Sequence, residues 1–124
     1  MEPLCQTHLT VRQLAAHWAV SDRTVRDRIK SGALPAQRFG QFWIAWPDIW
    51  AQENGPRPRP AQVARYRMDL LTRHGLAALT GRSLRTVDRW LAEGLPTRNV
   101  GGAVRINEAD ARDWLNARHG IQLF

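Results

Sequence analysis

The chain has 124 residues, 44% hydrophobic and 23% charged, a length that suits one ordinary domain or two very small ones. No run approaches the ~20 apolar residues of a membrane-spanning helix. Met1 to Thr10 lacks a basic and an apolar signal region, and a lone Cys5 can form neither an internal disulfide nor a Cys-based zinc site, so no membrane protein, signal peptide or disulfide scaffold is expected, and a reducing cytoplasm is.

Charge says more. Eighteen Lys+Arg against eleven Asp+Glu leave +7, and seventeen of the bases are arginine. Such an excess favours a polyanionic partner. It is uneven: residues 1–55 carry six bases and five acids, residues 56–70 four and one, and residues 71–124 eight and five.

The predicted elements follow from caps and apolar spacing. Thr10 with Gln13 three residues on reads as a capping box, opening a helix with the stripe Val11, Leu14, Ala15, Trp18. After the short turn Ala19-Val20, Ser21 caps a second helix that turns Val25 and Ile29 to the core and ends at Gly32. Arg38-Phe39, the turn Gly40-Gln41 and Phe42-Trp43-Ile44 then read as a tight hairpin. Pro47 fits the first turn of a third helix, where a missing N–H costs little, with Ile49 and Trp50 facing inward.

Asn54-Gly55-Pro56-Arg57-Pro58-Arg59-Pro60 reads as a linker, since alternate prolines favour the extended polyproline II form. Val63, Tyr66 and Leu70 share a stripe that predicts a helix across Ala61 to Leu71. Thr72 then caps a weaker helix with Leu76, Ala77 and Leu79. Ser83 caps the next, with Val87 and Leu91 inward and Gly94 at its end. Arg98-Asn99-Val100, the turn Gly101-Gly102 and Ala103-Val104-Arg105-Ile106 form a second hairpin. Asn107 with Asp110 starts a last helix, with Trp114 and Leu115 inward until Gly120.

These elements are two copies of one unit. Thr10 to Gly32 lies over Thr72 to Gly94 at an offset of 62, and nine of these 23 positions are identical. Beyond them Leu34-Pro35 pairs with Leu95-Pro96, Gly40 with Gly101, Ile44 with Ile106 and Asp48 with Asp110. The expected domains are 8–54 and 71–124, joined by a Pro/Arg linker at 55–70. Two short helices joined by a tight turn read as a helix-turn-helix, so the expected fold is mainly α with small β-hairpin wings.

The second unit, Ser83-Leu84-Arg85-Thr86-Val87-Asp88-Arg89-Trp90-Leu91 with Gly94-Leu95-Pro96 and Gly101-Gly102-Ala103-Val104-Arg105-Ile106, resembles the excisionase/MerR-type winged helix-turn-helix family. The first unit resembles it too but departs at Arg28, where Trp is usual, and at Trp43, where the wing carries Arg. The resemblance covers most of the chain outside the linker. It implies tandem winged helix-turn-helix units that place the second helix of each in a major groove, in a recombination directionality factor or transcriptional regulator of a mobile element.

In that frame Arg23 and Arg85, in the first turn of the second helices, are candidates for guanine edges, with a phosphate contact or a surface Arg–Asp pair as the plain alternative. Arg26, Lys30 and Arg89 share the exposed faces. Thr24 and Thr86 face phosphate or their own helix, with phosphate preferred. Ser21 and Ser83 read as caps before ligands, although a helix N-terminus attracts phosphate. Arg105 is the wing contact, Arg98 and Arg38 stand where the wings begin, and Arg57, Arg59, Arg65 and Arg67 are either solvated or on phosphates.

Trp43, Trp46 and Trp50 read first as core and second as a patch for self-association or another DNA-binding protein. An alternative function follows from the patch: an interaction or phage DNA-packaging subunit in which only the second unit binds DNA. His8, His17, His74 and His119 show no ligand spacing, and no HExxH, Walker A or Gly-x-Ser-x-Gly motif is present. Neither catalysis nor a metal or cofactor is expected. The expected partner is double-stranded DNA.

Overall fold

Local capping sets the helices. In the computed structural model, which describes residues 7–54 and 57–122, the Thr10 hydroxyl accepts from the Gln13 amide at 3.2 Å and the Gln13 side chain accepts from the Thr10 amide at 3.0 Å. This reciprocal cap opens α1 (Val11–Trp18). Ser21 accepts from the Thr24 amide at 3.1 Å and opens α2 (Asp22–Lys30). After strands β2 (Gln37–Phe39) and β3 (Gln41–Ala45), α3 (Trp46–Ala51) begins with Pro47 in its first turn. Cys5 and the Gly55-Pro56 part of the linker lie outside the described residues.

The linker helix is shorter than its stripe predicts. Arg59 has polyproline-like dihedrals (φ −72°, ψ 159°) and precedes a 3₁₀ turn, Pro60–Gln62, and the single turn α4 (Val63–Tyr66). In the second half, α5 (Arg73–Thr80), α6 (Leu84–Glu93), β4 (Arg98–Val100), β5 (Ala103–Arg105) and α7 (Glu108–His119) repeat the first-half order. Thr72, Ser83 and Asn107 cap their helices as expected.

Helix predominates, with two small antiparallel sheets. The first holds a strand that the sequence did not predict. β1 (His8–Thr10) pairs with β3, Leu9 opposite Ile44, and gives the order β1-β3-β2. Its counterpart is a single bridge between Leu71 and Ile106, at the repeat offset from Leu9 and Ile44. Three half-buried residues are too few for an alternating pattern to announce a strand. The α1–α2 turn shows the repeat again: Ala19 and Gly81 both take the left-handed conformation (φ 56° and 67°). Gly81 does so freely, whereas Ala19 bears a cost of about 1–2 kcal/mol.

Two cores form. Leu14, Trp18, Val25, Leu34, Ile44 and Ile49 centre the first, and Leu76, Val87, Trp90, Ile106 and Leu115 the second. Some packing runs across the expected boundaries. Val63, Tyr66 and Leu70 pack on the first core, and so does Val100 of β4. Within the described residues, no helix is long and apolar enough to cross a membrane.

Candidate nucleic-acid interface

In the first half, Val25 is fully buried and fixes α2 on the core, so Arg23, Arg26, Asp27 and Lys30 turn outward. Arg23 lies 3.9 Å from Asp27 in an exposed pair. The β2–β3 hairpin stands beside this helix, and the Arg38 guanidinium lies 5.3 Å from the Phe42 ring centre. Between helix and hairpin runs an open cleft of about 460 Å³ lined by Arg12, Asp22, Arg26, Arg38, Gln41 and Phe42, among others. Three arginines and one aspartate thus line the cleft, a local excess of positive charge suited to an anion. Arg12 was missed in the sequence. Its signal is periodicity: with Val11, Leu14, Ala15 and Trp18 inward, position 12 faces out, two residues past the cap.

The second helix of the other half is more encumbered. Arg85 is exposed and forms no ion pair among the described residues. Asp88 is bound by Arg73, and Arg89 lies 3.8 Å from Glu93. Ser21 and Ser83 act as caps, and their hydroxyls also meet those of Thr24 and Thr86 at 2.9 and 3.1 Å. The two threonines are therefore tied to their own helices. Arg57 and Arg59 are exposed in the linker.

Two wing candidates are corrected. Arg98 is 4% exposed, and its Nε donates to Glu53 at 2.6 Å. Arg105 donates from Nε to the Trp18 carbonyl at 2.8 Å and from Nη2 to the Ala19 carbonyl at 3.0 Å. Both side chains of the second hairpin clamp the first half. Arg98 cannot reach a phosphate, and Arg105 is already engaged by three carbonyls, those of Trp18, Ala19 and its neighbour Val104. The Asn99 amide also donates to the Glu53 carbonyl at 2.9 Å.

Glu53 is the hub of this clamp and left no signal in the sequence. It is fully buried and accepts from His17 Nε2 and Trp18 Nε1 at 3.0 Å each, besides Arg98. Burial opposes its ionisation. The hydrogen bond and charge of His17, the Trp18 indole and the Arg98 charge outweigh that and hold the carboxyl below the usual range. A second tie joins the linker to α7. Arg65 bridges Asp110 and Asp113 at 2.7 Å each, and the Tyr66 hydroxyl donates to Asp110 at 3.0 Å. Arg65 is therefore occupied within the protein, and its guanidinium is held even more firmly protonated. Arg67 lies over Trp46, 5.6 Å from the ring centre.

The tryptophan patch is also corrected. Trp46 and Trp50 are buried and stacked, with ring centres 5.6 Å apart. Trp46 meets His17 edge-on, and the Trp50 indole donates to the Tyr66 carbonyl at 3.1 Å. Trp43 is half-buried and donates to the Phe39 carbonyl. The rings are spent on the core and on backbone carbonyls, so the described residues present no exposed tryptophan cluster to receive a partner.

No protein-family model, no curated protein and no solved structure matches this chain.

Proposed function

We propose that the chain is a sequence-specific double-stranded DNA-binding protein made of two tandem winged helix-turn-helix units, with the first as principal reader. The observation that carries this is the cleft between α2 and the β2–β3 hairpin, where Arg12, Arg26 and Arg38 converge. A helix seated in a major groove brings its first turns to the base edges while flanking guanidiniums hold the backbone. Arg23 and Arg26 suit the helix role, and Arg12 and Arg38 suit the two flanking strands. In the second unit α6 offers Arg85 to DNA. Its wing is engaged in the clamp.

A role as a recombination directionality factor or a regulator of a mobile element rests on the family resemblance alone. The binding itself is tested by titrating a labelled duplex at several salt concentrations. With about six phosphate contacts the log–log slope of affinity against salt is about −5. A slope near zero counts against the proposal.

A further inference from the structure

We propose that Phe39 is a wedge that enters a base step of the duplex, a role that rests on the DNA-binding reading above. Its side chain is 76% exposed, whereas the other exposed large apolar side chains among the described residues, Met68, Leu79 and Val104, lie at 36–38%. Phe39 ends β2 at the tip of the first hairpin. There Gly40 (φ +74°) makes the turn and Phe39 pairs with Gln41. The Trp43 indole donates to the Phe39 carbonyl at 3.1 Å. The ring therefore projects from a backbone tied down on both sides, so that insertion orders a side chain but no backbone.

Strand alternation divides the labour of the tip. Arg38 turns toward Phe42, its partner across the hairpin, and Phe39 shares the other face with its own partner Gln41. One side offers charge to a backbone and the other a bare ring to bases. Proteins that kink DNA from the minor groove combine these two features, with an apolar wedge parting a base step.

The repeat adds an independent observation. With Gly40 aligned to Gly101, Phe39 corresponds to Val100, which is 2% exposed and sits in the core of the other half. The apolar residue at this tip is thus an insertion residue where its target is present. In the first half nothing covers it, and the guanidiniums of the adjoining cleft select a polyanion over a second apolar surface.

The test uses the full chain and 40-base-pair duplexes that it selects from a random pool. Each carries donor and acceptor dyes at its ends and 2-aminopurine at a pyrimidine–purine step, where unstacking is easiest. The wild type raises energy transfer and brightens 2-aminopurine. Phe39→Leu keeps both effects. Phe39→Ala loses both, with affinity lower by roughly three- to tenfold, because the unstacking it no longer drives offsets part of the lost contact. Binding without bending, or bending unchanged in Phe39→Ala, overturns the wedge and leaves the DNA reading intact. Failure of the wild type to retain any duplex at low salt overturns both. Self-association abolished by Phe39→Ala while bending persists shows that the ring serves a second copy instead.

Discussion

At the scale of single residues, the two copies exchange bulk between paired positions. Trp18 in the first half stands opposite Thr80 in the second, while Trp90 in the second stands opposite Arg28 in the first. Each core thus contains one buried tryptophan from this pair of positions, Trp18 at 0% and Trp90 at 2% exposure. Freed from the core, Arg28 lies over Trp18, 5.4 Å from the ring centre, and bonds Gln52 at 3.3 Å. Glu53 is the most consequential residue here. Glu53→Gln leaves Arg98 as a buried charge without a counterion, and breaking such a pair costs about 3–5 kcal/mol. Denaturant unfolding is expected to show a loss of that size. A change below about 1 kcal/mol would contradict the clamp, since exposed pairs give no more. The sign of the pH effect follows from a depressed carboxyl. The stabilisation is present above the ordinary value of 4.5 and is lost as pH falls through the lower folded value. The stability gap between wild type and Glu53→Gln therefore narrows as pH is lowered below about 4.5, and a gap that stays constant from neutral to strongly acid pH speaks against an ionised Glu53.

At the scale of elements, one hairpin is free and the other is captured. Capping residues and glycine turns made both legible, because caps and turns are decided by neighbours within four residues. Their uses were not legible. Arg98 looks the same in sequence whether it faces phosphate or a buried carboxylate 45 residues away, and Arg105 whether it faces phosphate or carbonyls 86 and 87 residues away. The β1 strand escaped for a similar reason, since its partner Ile44 lies 35 positions distant from Leu9. The captured hairpin yields its own prediction. Gly101 holds φ +59°, and a Cβ there would fall on the Arg28 guanidinium. Gly101→Ala therefore imposes left-handed strain of about 1–2 kcal/mol and dislodges Arg28 from Trp18. The matching change in the free hairpin, Gly40→Ala, meets nothing within 4 Å and bears the strain alone. Thermal unfolding of the two variants should place Gly101→Ala lower. Equal melting temperatures would show that the Arg28 contact contributes nothing.

At the scale of the whole molecule, the tandem arrangement is a fixed body rather than two tethered beads. The Glu53 hub, the Arg105 contacts to Trp18 and Ala19, and the Arg65–Asp110 tie all join the halves. Were the halves independent, a cut in the Pro56–Pro60 segment would leave residues 71–124 folded alone. The packing argues otherwise: residues 71–124 in isolation expose Val100 and leave Arg98 without its carboxylate. Circular dichroism of that fragment is expected to show a partly unfolded chain, while the full chain melts in one transition. A fragment as stable as the whole would restore the independent units. The repeat was readable at a distance, but the docking was not, because the interface is built from residues at which the two copies differ: His17, Trp18, Glu53 and Arg105.

The most direct test of the DNA-binding account compares Arg26→Ala and Arg38→Ala with Arg85→Ala in duplex-binding titrations at fixed salt. Each first-half change should weaken binding by about tenfold or more, as a charge-assisted hydrogen bond is worth about 1.5–3 kcal/mol, and Arg85→Ala should weaken it less. Full affinity in Arg26→Ala and Arg38→Ala, with loss confined to Arg85→Ala, would contradict the account.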